Sequence, residues 1–422
     1  MTFIKALFLK INFLNSNKLL LFILIGIIFL GIFLRFNQLS SSYLDNDEYP
    51  VIHNMIFDDH IKTYSNLVVF INDLDNPQYN SNIYKFLRKL DSANLLESLH
   101  APLLFLYKFI RIGRGWTYAP LQFIFPIFFL PFAKTYESVK IISTLLPFLF
   151  SSATLILTVF ISKKCINNSF LSLIPATLLT SLSLPHIFYA NHASTFSAGS
   201  FSLTLLCIFM YYKIYNHLSV LKFSLLFIFL CLLSYQLIYF APVVLLYILY
   251  SEKKFPSKNL IFYCLKFCVI FFIALTIFYF LFNLRSVNRL DYDTFSFLLP
   301  VTYIYDAFMY NFLIIFPQNA YSISVYLSYV PLLILTSFGL WQLLKSKEDK
   351  KQLLGVFIII SIFCFIIYFL IGRIEFGKSR HALILIPLFS ISLSYGIDKL
   401  ISLFQKPYLK TITKSIIGIG CL

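Results

Sequence analysis

Residues 19–36 read Leu-Leu-Leu-Phe-Ile-Leu-Ile-Gly-Ile-Ile-Phe-Leu-Gly-Ile-Phe-Leu-Arg-Phe, with Arg35 as the one charged side chain. At about 1.5 Å of rise per residue a helix of this length covers roughly 27 Å, close to the hydrocarbon thickness of a bilayer. A cleavable signal would end in small residues, whereas Leu34-Arg35-Phe36-Asn37 closes this run, so it reads as a retained transmembrane helix. Lys5, Lys10 and Lys18 precede it without an acidic residue, which predicts a cytoplasmic N-terminus by the positive-inside rule.

The remainder of the chain has the same character. Its 422 residues are 59% hydrophobic and 19% aromatic, with a mean hydropathy of +0.81, well beyond a soluble globular domain. A net charge of +16 would point to nucleic acid in a soluble protein. Here the lysines fall between apolar runs, where topology and anionic lipid head groups account for them, so the expected partner is the lipid bilayer and not nucleic acid. The excess of Lys over Arg, with abundant Phe, Ile, Asn and Tyr, fits an AT-rich genome and a bacterial inner membrane.

Further apolar runs lie near 139–162, 169–190, 195–212, 219–235, 237–250, 260–283, 321–344, 352–371 and 380–397. Lysine groups at Lys163-Lys164, Lys213, Lys253-Lys254-Lys258, Lys345-Lys347-Lys350-Lys351 and Lys399-Lys406-Lys410 occupy every second junction, as one consistent topology requires. The expected fold is all-α, a polytopic transmembrane helix bundle of roughly 10–11 spans. It forms a single membrane domain, 1–422, with the first helix at 19–36, an outer loop at 37–138 and the remaining helices in 139–422. Segments 190–195, 284–320 and 372–380 join that loop on the outer face, and Thr411–Leu422 is too short for a full span.

The loop carries ten of the eighteen acidic residues and none of the seven cysteines, which excludes a disulfide framework there. Asp75-Asn76-Pro77 marks a turn within it, and Ile83–Leu99 has helix-like apolar spacing. His100–Ile112 and Tyr118–Phe132, the latter broken by Pro120, Pro126 and Pro131, have the length of interfacial helices rather than spans. Cys264 and Cys268, four apart, lack a nearby His or carboxylate and read as small core residues rather than a metal pair.

Two groups of outer residues carry candidate chemistry. Asp47-Glu48 lies about a dozen residues past the first helix, close to the membrane surface. Far along the chain, Gly372-Arg373-Ile374-Glu375-Phe376-Gly377-Lys378-Ser379-Arg380-His381 joins two spans, and Arg285 and Arg289 follow another. Only eight of the 34 basic residues are arginine, so Arg373 and Arg380 in one short connection stand out. Their planar forks match phosphate oxygens, with Lys378 and His381 adding donors; anchoring to lipid phosphates is the simpler use of the same cations.

These features in this order resemble the GT-C superfamily of membrane glycosyltransferases, and within it the bacterial relatives of protein O-mannosyltransferases and lipid A aminoarabinose transferases (glycosyltransferase family 39). The resembling parts are Leu34-Arg35, the acidic Asp47-Glu48, and either His100-Ala101-Pro102-Leu103 or Tyr118-Ala119-Pro120-Leu121 as the segment that opens a juxtamembrane helix. Arg380-His381-Ala382-Leu383 looks like the family's later Arg-Tyr-Leu-Leu-Pro pattern. One departure is visible: where relatives often carry an acidic residue near the outer end of the third or fourth helix, this chain has Asn191 and His192. Asp58 or Asp59 is then the candidate for a second carboxylate, and His192 is a ligand, a proton carrier or a helix-end residue.

The resemblance implies transfer of a sugar from a polyprenyl-phosphate donor to a hydroxyl of a lipid, glycan or protein acceptor. Asp47 or Glu48 would serve as general base. Arg373, Lys378, Arg380, His381 and Arg285 would bind the donor phosphate. A divalent metal stays open as cofactor, because the carboxylate set is incomplete. The alternatives are a flippase or transporter of lipid-linked saccharides, or an outer-face polymerase using a lipid-pyrophosphate oligosaccharide. Against a transporter, no internal repeat is visible and the run centres are mostly uncharged.

Overall fold

The computed structural model describes residues 2–37, 119, 121, 129, 136–165, 170–192, 196–251, 258–281, 299–313, 323–370 and 380–404. Those residues are helical with no strand among them. The long elements follow the apolar runs: α1 (Thr2–Asn37), α2 (Tyr136–Cys165), α3 (Leu173–Leu182), α4 (Leu184–Ala190), α5 (Phe196–Tyr211), α6 (Val220–Leu233), α7 (Ala241–Ser251), α8 (Lys258–Leu281), α9 (Leu299–Asn311), α10 (Ile323–Leu344), α11 (Asp349–Leu370) and α12 (Ile386–Phe404). Three 3₁₀ segments, Ile214–Asn216, Tyr235–Phe240 and Arg380–Leu385, connect them.

Among the described residues, six helical stretches are long and apolar enough to cross a membrane, and seven if α3 and α4, bent by 54°, count as one broken span. Helices α5 and α6 and the stretch Tyr235–Ser251 are shorter apolar helices. This is a polytopic helical bundle. Two features differ from the sequence reading. The run 169–190 is interrupted at Ser183, and the connection 284–320 contains helix α9.

Burial ranks the spans. Helix α12 is surrounded by protein, whereas α8 and the apolar part of α1 are largely exposed. In a soluble protein Phe22, Phe29, Phe262 and Phe272 on those outer faces would be a liability; against lipid tails they are expected. Cys264 faces the core as anticipated, but Cys268 points outward, because the buried stripe of α8 is too narrow to hold both positions.

With lipid as solvent, apolar area gives helices little reason to associate, so close packing and buried hydrogen bonds must do so. Helices α10 and α12 meet at Gly339 and Gly396, whose backbones are in direct contact. A Cβ on Gly339 would run into the Ser392 carbonyl oxygen, and one on Gly396 would run into that of Leu335 and come within 3.2 Å of the Gly339 Cα. Thr180 Oγ1 shares a 2.9 Å hydrogen bond with Ser390 Oγ, tying α3 to α12. Ser172 Oγ donates to Asp398 Oδ1 at 3.2 Å near the lysine-bearing end of the same pair.

Gly339→Ala is therefore expected to lower the melting temperature of the purified protein in detergent by several degrees, an overpacking cost of about 1–3 kcal/mol. Gly26→Ala, where nothing lies within 4 Å of the added carbon, is expected to be neutral or slightly stabilising. Equal melting of wild type and the Gly339 variant would contradict the close crossing.

Candidate functional site

The site is built around the break between α3 and α4. Pro185 has no N–H to return to the Ser181 carbonyl one turn back. The Leu184 N–H, which would otherwise serve the Thr180 carbonyl, bonds instead to Leu313 O at 2.8 Å. The last turn of α3 is thus left with two orphan acceptors at the negative end of a helix dipole. Arg35 fills that vacancy: its guanidinium donates to Thr180 O and Ser181 O, each at 3.2 Å.

The same side chain donates to Gly31 O at 2.8 Å, one turn back on α1, and to Ser151 Oγ on α2 at 2.9 Å. At 1% exposure it points into the bundle rather than snorkelling outward. Sequence reading took Arg35 as a helix-end marker; its burial depends on Pro185, a signal 150 positions away.

From the break, polar contacts run across the bundle. Ser151 Oγ also approaches His186 O at 3.4 Å. The His186 ring, buried in α4, bonds through Nε2 to Asn311 Oδ1 at 3.1 Å. The Asn311 amide nitrogen donates to Ala307 O at 2.8 Å and to Ala382 O at 2.9 Å. Its oxygen can only accept, so the His186 proton resides on Nε2. Asn311 thereby joins α4, α9 and the 3₁₀ turn that begins at Arg380. Ser200 Oγ of α5 donates to Leu383 O at 2.9 Å and fixes the same turn from another side.

Next to Ala382, His381 Nδ1 lies 2.7 Å from Gln236 Nε2. The Gln236 side-chain amide thereby holds the His381 ring through Nδ1. The His381 ring packs edge-on to Phe196 at 5.5 Å, Phe196 contacts Tyr189 at 5.2 Å, and Tyr189 contacts His192 at 5.4 Å. His192 is buried at the C-terminal end of α4. Two residues selected from stretches nearly two hundred positions apart are therefore joined by a short chain of rings.

Buried Asn191 Oδ1, Ser181 Oγ, Ser183 Oγ, Ser234 Oγ and Gln236 Oε1 have no hydrogen-bond partner among the described residues. They lie on the segments that form this end of the bundle.

Arg380 opens the 3₁₀ turn. Asp47, Glu48, Asp58, Asp59, Arg285, Arg373 and Lys378 lie outside the described residues. Among the described residues no group of three or more His, Cys, Asp or Glu is arranged to hold a metal ion. The sequence reading missed Arg35, His186, Gln236 and Asn311 as site-building residues. The recoverable signals were a Pro two residues past Ser183 and a Pro at the start of Leu299–Asn311, both marks of a helix beginning. Comparison with protein-family models, with curated proteins and with solved structures finds no match.

Lysine in place of Arg35 can serve one cluster of acceptors but not the two-sided fork. Arg35→Lys is expected to lose at least one charge-assisted bond, about 1.5–3 kcal/mol, read as a drop of several degrees in melting temperature. Phe29→Leu on the exposed face of α1 is the matched control. An unchanged melting curve for Arg35→Lys would contradict the role assigned to the guanidinium.

Proposed function

We propose that the chain is a membrane glycosyltransferase of GT-C-like architecture, with roughly 10–11 spans once shorter and broken helices are counted, acting on the outer face of a bacterial cell membrane. Its donor is a polyprenyl-phosphate sugar and its acceptor a hydroxyl of a lipid, glycan or protein. The observation that carries the reading is the gathering of His381 and His192, both singled out from sequence, around the break that Arg35 holds. The supporting context is the resemblance of the ordered motifs.

The chemistry suits the location. Nucleotide sugars are made in the cytoplasm, so transfer on the far side needs a sugar that crosses on a lipid. Asp47, or Glu48 in its place, takes the acceptor proton as the acceptor oxygen bonds to the anomeric carbon. The bond from that carbon to the phosphate oxygen breaks, and polyprenyl phosphate departs with the electron pair. Attack opposite the leaving group inverts the anomeric centre. The growing phosphate charge is met by Arg373, Lys378 and Arg380, with Arg285 and His381 contributing donors. In this account Gln236 and Asn311 are positioning residues that hold the turn carrying Arg380 and His381.

A second reading has an observation in its favour. Broken spans and buried ionisable side chains are features of transporters, and the α3–α4 break with Arg35 and His186 beside it provides both. On that reading the same end of the bundle would bind a lipid-linked saccharide without bond formation.

Lipid extracts of host cells separate the two. Deletion of the protein, and the paired change Asp47→Asn with Glu48→Gln at unchanged abundance, are both expected to accumulate one polyprenyl-phosphate monosaccharide by mass spectrometry. A larger lipid-linked oligosaccharide building up in the deletion alone, with the carboxylate variant behaving as wild type, would overturn the transferase reading.

A further inference from the structure

At the opposite end of the bundle a groove of about 1020 Å³ opens between the start of α6 and the first half of α8. The two ends of α6 are separated by roughly 20 Å of helix, so this groove is distinct from the site at the α3–α4 break. It has two chemically different parts. Leu221, Phe262, Leu265 and Val269 form an apolar wall, and all four are exposed toward the surroundings of the bundle. Asn216, Ser219, Asn259 and Lys266 supply the polar part.

Lys266 is the informative residue. It lies inside the candidate span Asn259–Phe278, seven positions from the span's start, or about 10 Å along the helix axis. It is exposed rather than packed in the bundle, and no ion-pair partner for it exists among the described residues. A lysine this far into a span is uncommon, and its long stem lets the ammonium reach back toward polar groups at the helix end. Helical side chains lean toward the helix N-terminus, which carries the Lys266 ammonium back toward Asn259 and the polar part of the groove. Lys213 and Lys222 lie in the same part of the fold.

A free anion has no use for the apolar wall, and a neutral lipid has no use for an unpaired lysine. From the charge complementarity and the continuity of the apolar wall with the lipid-facing surface, we infer that this groove binds one anionic phospholipid. Its phosphate meets Lys266 and the neighbouring amide and hydroxyl groups, and one acyl chain lies along Leu221, Phe262 and Val269. The bound lipid bridges α6 and α8 at the lysine-rich end, where it supplies the negative charge that the described residues around Lys266 lack.

The test uses the full chain, purified and delipidated in detergent, titrated with phosphatidylglycerol or phosphatidylcholine and read by native mass spectrometry. Wild type is expected to retain at least one phosphatidylglycerol molecule in preference to phosphatidylcholine. Lys266→Gln is expected to weaken phosphatidylglycerol binding about fivefold, the effect of one lysine charge near a lipid surface, with phosphatidylcholine binding unchanged. Lys266→Arg is expected to restore the preference. Val269→Trp, which fills the apolar wall and leaves the charge intact, is expected to reduce phosphatidylglycerol occupancy as well, so the inference does not depend on the stability of one variant. Inorganic phosphate at millimolar concentration is expected not to compete. Equal phosphatidylglycerol binding by wild type, Lys266→Gln and Val269→Trp would overturn the inference and leave Lys266 as a side chain that merely reaches the membrane surface. Displacement by inorganic phosphate would also overturn it, in favour of a simple anion site.

Discussion

The grip of Arg35 on the broken end of α3 is the constraint from which the rest of this end of the bundle follows. A positive charge buried among membrane helices costs several kcal/mol unless it is compensated, and two uncapped carbonyls at a buried helix end are costly on their own. Each cost is offset by the other. Thr180 O and Ser181 O lack backbone donors because of Pro185 and because the Leu184 N–H is engaged by Leu313 O, and the guanidinium provides the missing hydrogens. Removing either partner leaves the other stranded, which makes the pairing a determinant of geometry as well as of stability.

The direction of α4 is then set, and with it the place of His186. Because Asn311 accepts from His186 and donates to Ala382 O, the position of α4 passes to α9 and to the turn at Arg380. The neighbouring His381 is held by Gln236 and by Phe196. The interior of this bundle is therefore organised by polar groups and by close backbone approach. The crossing at Gly339 and Gly396 and the serine and threonine bonds between α3, α5, α12 and the turn follow the same logic. Lipid tails compete with apolar packing for helix surfaces but cannot satisfy a hydrogen bond.

Helical class and most element positions were legible in the sequence because hydropathy over a twenty-residue window reports directly on a thermodynamic requirement. The run 352–371 became Asp349–Leu370, and 321–344 became Ile323–Leu344. Helix Leu299–Asn311 was hidden because it is short, carries Asp306 and does not form a span of its own. The break in 169–190 was hidden because Pro within an apolar run is common in membrane helices and does not by itself announce where the freed carbonyls find donors. His381 and His192 stand out in the sequence by residue type and context. Their link through Tyr189 and Phe196 could not be read in advance, since rings on three different elements meet only after the helices pack. Asp47 and Glu48, on which the proposed chemistry turns, rest on sequence order and resemblance.

The glycosidic bond formation that we propose at the end of the bundle where α3 breaks is open to direct test. Its most direct measurement is on the purified full chain in liposomes containing a short-chain polyprenyl-phosphate monosaccharide, with a membrane extract as the source of acceptor. Free polyprenyl phosphate is followed by mass spectrometry, and the sidedness of the intact donor is followed by enzymatic access. Time-dependent release of polyprenyl phosphate that requires both the extract and an intact Asp47-Glu48 pair is expected. Passage of intact donor across the bilayer with no polyprenyl phosphate formed would contradict it and identify the chain as a carrier of lipid-linked sugar.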